Sequence, residues 1–232
     1  PRTVKLAARS DQGVSTDERQ IIASVKAIVI VSNPKDVKAG GTKATGVDVR
    51  GENVPDGVAL AAEPYVGAAA SAASLDRLTR DMVLAYRAAG IPVVNIVVPP
   101  QDVTNGVVQV IAVVGKLGRT SVEGNPSDPD YYLEGFGLEA GDVITQSAVL
   151  DHLYWKSRRS YRRLDAIYEP GKNFGETDIA FDVKETKPWS IFAGVDNTGS
   201  GGTGDLRIYS GFALGDLWNL DHELTYQFTT SE

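Results

Sequence analysis

The order strand–helix–helix–strand–strand occurs twice in succession in this 232-residue chain, and the two copies keep step. Gly51 and Gly124 lie 73 residues apart and close similar phrases, "VRGEN" and "VEGN"; Gly67 and Gly141 lie 74 apart. Self-similarity at a fixed period marks tandem modules, each one supersecondary unit. The fold class that follows is α+β, with two β-α-α-β-β modules side by side in the chain.

The first copy contains the short strand "GVDVRG", then "DGVALAAEPYVG", a short helix closed at Gly67. Ser71 or Ser74 can cap the long helix "AASLDRLTRDMVLAYRAAG". Its apolar residues Leu75, Leu78, Met82, Ala85, Tyr86 and Ala89 recur at helical spacing, and Gly90 stops it. "IPVVNIVVPP" and "GVVQVIAVVG" follow as strands. The second copy reads "RTSVEGN", "DPDYYLEGF", "TQSAVLDHLYWKS", "RRLDAIYEP" and "ETDIAFDVKE" in the same order. Upstream, the β-branched run "VKAIVIVS" has the look of a strand covered on both faces. Ser15 and Glu18 fit a capping box, which predicts a short helix over 16–24.

Beyond Pro188 the helical spacing disappears. Leu206, Ile208, Phe212 and Leu214 share one face of a strand, interrupted by Ser210. Leu224, Tyr226 and Phe228 alternate with Glu223, Thr225 and Gln227. Strands of ~9–11 residues with this dyad pattern suit a membrane β-barrel. The half-buried sheet of a soluble protein has the same alternation, so the pattern alone leaves both readings open.

The net charge of −7 disfavours a nucleic-acid partner. With no cysteine there is no disulfide, thiolate nucleophile or cysteine-held zinc. No apolar run is long enough for a transmembrane helix, and no signal peptide stands at Pro1, as in a mature or trimmed chain. Gly199, Gly201 and Gly204 spell G-x-G-x-x-G, with an acid near the expected distance at Asp221. A dinucleotide loop needs a helix after it, to aim free N–H groups at the pyrophosphate. Here "LRIYSGFAL" follows with strand periodicity, so the glycines read as a hairpin tip. His152 and His222 have no second ligand at useful spacing, and no G-x-S-x-G elbow supports a hydrolase triad. Asp128 and Asp130 lack the remaining ligands of a calcium loop and fit a helix cap instead. No enzyme, cofactor or metal is indicated.

"GIPVVNIVVPPQDVTNGVVQVIAVVGKLGRTSVEGN" resembles the first POTRA module of two-partner secretion transporters of the hemolysin secretion/activation family. From "YRRLDAIYEPG" through "GDLWNLDHELTYQFTTS", the chain looks like the end of a second POTRA module running into the first strands of an outer-membrane barrel. The division that follows is a linker or plug segment at 1–24, POTRA modules at 25–116 and 117–187, and an incomplete barrel start at 188–232. The resemblance implies a Gram-negative outer-membrane location, with this part mostly periplasmic. It implies translocation of an unfolded exoprotein recognised by its N-terminal secretion domain, without nucleotide or metal. A POTRA scaffold of an outer-membrane assembly factor is the alternative. About three barrel strands are too few to close a pore, so a strand-mediated homodimer or detergent dependence is expected of the fragment.

A sheet edge in such a module offers unpaired backbone groups to an extended client. The expected edges are the strands after the long helices: Val93, Val94, Asn95, Ile96, Val97 and Val98 in the first module, and Leu164, Ala166 and Tyr168 in the second. Leu78, Met82 and Tyr86 are candidates for the adjoining groove, or for the module core. In "KSRRSYRR", Lys156 precedes Arg158, Arg159, Arg162 and Arg163. These cations suit a helix C-terminus; outer-membrane lipid headgroups or an acidic client are the functional alternative.

Overall fold

The computed structural model describes residues 5–6, 17–198, 202, 206–216 and 222–231. Its contacts divide the chain into two units, Pro1–Ser157 with Leu164–Val183, and Arg158–Arg163 with Lys184–Glu232.

The first unit holds both modules. In the first, β3 (Ala27–Val31), β4 (Gly46–Val49), β6 (Val94–Val97) and β7 (Val107–Val114) form a sheet of order β4-β3-β7-β6. β3 runs parallel to both β4 and β7, and β6 runs antiparallel to β7. Helices α1 (Asp56–Ala62) and α2 (Ala72–Ala88) cover one face. Ile28, Ile30, Val108, Val110 and Ala112 meet Val58, Leu78, Met82 and Tyr86 there. The opposite face is buried too, because Val37 and Ala44 cover Ala27, Val29, Val31, Val107 and Ile111. Burial on both faces explains why "AIVIV" carries no polar residue. Ser71 caps α2 through a reciprocal pair with Ser74.

The sequence repeat equates β4 with β8 (Lys116–Glu123), and the structure departs from this. In the second module β1 (Lys5–Leu6), β9 (Arg162–Pro170), β10 (Glu176–Glu185) and β8 lie in the order β1-β9-β10-β8, with β8 directly beside β10. In the first module β3 takes that place and β4 lies outside it. The upstream apolar run is thus a central strand, and the strand that carries the repeated phrase is at the rim. A second difference concerns the expected helix over 16–24. Gln20–Ile22 forms strand β2, antiparallel to β5 (Ala70–Ser71), and Ile22 joins the core. Ser15 lies outside the described residues.

In the second module, α3 (Pro129–Leu133) and α4 (Gln146–Lys156) pack Tyr132, Val149 and Leu153 on Leu164, Ala166, Tyr168, Ile179 and Phe181. Asp128 caps α3 by accepting the Tyr131 N–H at 3.3 Å. The modules are joined by backbone: the Gln146 N–H, at the start of α4, donates to the carbonyl of Gly90 at 2.8 Å. Thr145 makes no side-chain cap there, so the glycine that ends α2 supplies an acceptor for the long helix of the second module.

The second unit is a three-stranded antiparallel sheet of β11 (Trp189–Asp196), β12 (Arg207–Gly215) and β13 (Glu223–Ser231). Asp196 stands opposite Arg207. A strand therefore occupies the place where a nucleotide loop would need a helix. The sheet register gathers Trp189, Ile191, Val195, Ile208, Phe212, Leu214, Leu224, Tyr226 and Phe228 on one face. Most of these side chains are exposed, Ile191 by 78%. On the other face Phe192 and Tyr209 stand directly opposite Gly211 and Gly194, among Thr225, Gln227 and Thr229.

Candidate functional site

β6 lies at one rim of the first sheet, and no strand pairs with its outer edge among the described residues. The pairing fixes which of its groups point outward. The Gly115 N–H donates to the carbonyl of Val93 at 2.9 Å. In the alternating antiparallel pattern, Asn95 and Val97 then exchange hydrogen bonds with Val113 and Ile111. Val94 and Ile96 form the other class of pair, so their N–H and C=O groups face away from β7. The side chains of Val94, Ile96 and Val98 pack against the module core, Val93 packs on the second module's core, and Val97 is 41% exposed.

The edge ends where Pro99 and Pro100 follow, since neither has an N–H to continue a ladder. The next residue is hydrogen-bonded on both sides of its amide. Gln101 Oε1 accepts from the Gln109 N–H at 2.7 Å, and Gln101 Nε2 donates to the Gln109 carbonyl at 2.7 Å. Beside it, Asp102 accepts from the Thr104 N–H at 2.9 Å and from its hydroxyl, which holds the carboxyl below its usual range. The side chain of Gln109, 2% exposed, clasps the opposite strap: the Lys38 N–H donates to Oε1 at 2.9 Å and Nε2 donates to the Lys38 carbonyl at 2.8 Å. No polar atom of this buried amide is wasted, which makes it a fixed support for the rim.

Leu78, Met82 and Tyr86 do not line a groove; all three are at most 1% exposed. Their helical face is the one that α2 lays on the sheet, so an incoming chain does not touch them while the module stays closed. Leu164, Ala166 and Tyr168 are core residues as well, none above 5% exposed. The outer edge of their strand, β9 (Arg162–Pro170), carries β1 (Lys5–Leu6) in parallel, with Lys5 opposite Ile167 and Leu6 opposite Tyr168. The module's own chain thus uses this edge as an extended segment would.

The basic run is divided. Arg158 and Arg163 are exposed. Arg162 is buried, with its guanidinium 2.5 Å from Asp216, and Arg159 stands 3.9 Å from Glu223. Structural pairing therefore takes up Arg162, because a buried guanidinium needs a carboxylate. Sequence periodicity assigns no role to Gln101 and Asn105. A carboxamide directly after two prolines that end a strand is the available signal.

A βααββ pair leading in the chain to a sheet with one exposed apolar face is the arrangement of tandem POTRA-like modules followed by barrel-type strands. Residues 43–115 match the model of the POTRA domain, ShlB-type. It is 25% identical over 170 residues to the outer membrane transporter CdiB-2 of Burkholderia pseudomallei (strain 1026b), covering 71% of this chain and 29% of that protein. It is 23% identical over 185 residues to the heme/hemopexin transporter protein HuxB of Haemophilus influenzae (strain 86-028NP), covering 78% and 32%. The solved structure of CdiB from Escherichia coli has the same fold, with a TM-score of 0.64 at 18% identity over 94% of this chain and 38% of that one. CdiB from Acinetobacter baumannii gives 0.60 at 15% identity, over 98% and 42%. The resemblance to two-partner secretion transporters stands on these matches, and the relatives are transporters rather than enzymes. The chain spans about a third of the length of the curated relatives it matches.

Proposed function

We propose that this chain is the periplasmic receptor region and barrel start of an outer-membrane transporter that exports an unfolded partner protein. The modules take an extended client segment by strand addition at the outer edge of β6. The observation that carries this reading is the outward set of N–H and C=O groups on Val94 and Ile96, unpaired by any strand among the described residues. Backbone pairing tolerates many side chains, which suits a receptor for a long unfolded chain. The names of CdiB-2 and HuxB as transporters support the same activity. The exposed apolar face of β11–β13 meets lipid in the outer membrane, and the modules lie in the periplasm.

Proline tests the edge. Ile96→Pro removes an outward N–H and leaves the ladder to β7 intact, whereas Asn95→Pro removes a ladder donor. Retention of the partner's unfolded N-terminal secretion domain is expected to fall with Ile96→Pro while the thermal transition stays near the wild-type value. Full retention by a folded Ile96→Pro protein refutes strand addition at this edge.

A further inference from the structure

β7 is longer than the strand beside it. β6 pairs only with Ile111–Val114, so residues 107–110 have no strand on that side. Continuing the register would place Pro99 opposite Gln109, and a proline cannot supply the N–H that a hydrogen-bonded pair needs. The carboxamide of Gln101 does so instead, offering one acceptor and one donor to the two backbone groups of Gln109. Its Nε2 also reaches the Pro99 carbonyl at 3.3 Å, which ties the departing chain to the same point. Two residues along, the Val107 N–H donates to Asn105 Oδ1 at 3.2 Å. Asn105 is itself held by donating from Nδ2 to the Thr42 carbonyl at 2.7 Å. Side chains thus occupy the places where a third strand would bond.

We propose that Gln101, assisted by Asn105, is a specificity-determining stop that confines strand addition to β6. The argument rests on the reading of β6 as the client edge. Backbone groups left open at a sheet edge are a template for any extended chain. With Gln101 in place, β7 presents none on this side at Gln109, and the open edge is the short one built by Val94 and Ile96. The client is therefore an extended polypeptide segment whose two pairing residues lie two apart, opposite Val94 and Ile96. Segments that would pair with a longer edge gain nothing from their extra length. Proline is excluded at either pairing position, because it has no N–H to donate there.

The test uses residue-resolved amide hydrogen exchange of the full 232-residue chain in detergent, with reduced carboxymethylated α-lactalbumin as a permanently unfolded probe. In the wild type the probe is expected to slow exchange at Val94 and Ile96 and to leave Gln109, already protected, unchanged. In Gln101→Leu the Gln109 amide is expected to exchange about tenfold faster without probe, as for the loss of one net hydrogen bond. Adding probe then restores its protection, because the probe pairs where the carboxamide did. If Gln109 stays fast with probe present, Gln101 only braces the turn and the stop is refuted; the same follows if its exchange never accelerates. Gln101→Glu, which keeps the acceptor for the Gln109 N–H and loses the donor to its carbonyl, supplies a milder variant should the leucine protein not fold. Its Gln109 amide remains protected, and the probe adds nothing there. Loss of the probe effect at Val94 and Ile96 in the wild type refutes the client edge alone, since the response of Gln109 in Gln101→Leu is read separately.

Discussion

The carboxylate of Asp216 lies 2.5 Å from the guanidinium of Arg162, and the two side chains are only 18% and 5% exposed. Asp216 has a positive φ of 53°, and its N–H donates to the carbonyl of His222 at 2.8 Å. The residue before it is Gly215, where an added Cβ would come within 2.4 Å of the Tyr161 ring. The segment 158–163 and the end of β12 therefore lie against each other, with the Arg162–Asp216 pair between them. Asp216→Asn tolerates the left-handed backbone but removes the carboxylate charge that faces the guanidinium. A cost of about 3–5 kcal/mol is expected when one partner of such a buried pair is removed. Arg162→Met combined with Asp216→Asn is expected to recover much of that loss. Urea unfolding in detergent, followed by tryptophan fluorescence across the four-protein cycle, measures both.

His152 gives the second module a pH dependence. A ring N–H donates to the Tyr132 carbonyl at 2.8 Å, and the rings of Phe136 and Phe181 lie 5.1 and 4.9 Å away. Burial is the main cause that holds its pKa below the ordinary histidine value, with the charge of Lys156 adding to the effect. The unfolded chain then takes up the proton first, at about pH 6.5. Stability is full above that pH and is lost as pH falls through it toward the lower folded pKa. The melting temperature is expected to drop between pH 7.5 and pH 5. In His152→Gln the drop is smaller, and an equal slope for the two proteins contradicts the assignment.

Tyr86 buries a hydroxyl that makes no hydrogen bond to the described residues, and burial pushes its pKa up to about 12. Tyr86→Phe deletes that oxygen and keeps the ring. Stability is expected to stay level or rise by up to about 1 kcal/mol, because no hydrogen bond is lost. Leu78→Ala, about two turns earlier in the same helix, is expected to cost about 2–5 kcal/mol through the cavity it leaves. Thermal unfolding reads both, and client retention by Tyr86→Phe is expected to match the wild type, since the ring is enclosed.

Most elements are legible in the residues because local signals and burial agree. Ser71 with Ser74, the glycine stops and the 3.6-residue apolar spacing of α2 all point to one helix, and α2 forms there. Three features are not legible, for separate reasons. The two-residue match to a capping box at Ser15 and Glu18 carries no packing information, and Ile22 is drawn into the core by strand pairing with β5. β3 and β4 run parallel and both precede the helices of the module, so the sequence does not say which one sits beside β7. The apolar face of α2 reads the same whether it meets the sheet or a client. For the site, the strand after α2 is foreseeable from its position in the module. The role of Gln101 depends on a contact eight residues away along the chain, beyond any periodic pattern.

The two glycines that reveal the repeat are kept for different physical reasons, and substitution separates them. Gly124 has a φ of +91°, and a Cβ there would stand 2.1 Å from the carbonyl oxygen of Val183. Neither the backbone conformation nor the β10 backbone can give way cheaply. Gly51 has no positive φ; its added Cβ would meet the Ser32 hydroxyl at 2.5 Å and the Ser32 nitrogen at 3.0 Å. The hydroxyl can rotate away, at the expense of its hydrogen bond to the Glu52 carbonyl at 3.1 Å. Gly124→Ala is expected to cost about 1–3 kcal/mol for the conformation alone, with the backbone clash on top. Gly51→Ala is expected to cost less, and Gly51→Ala with Ser32→Ala less again, because the nearest obstacle is then gone. Comparing the three melting temperatures decides the matter: an equal loss at the two glycines would mean that one shared constraint, not two separate ones, holds the repeated phrase.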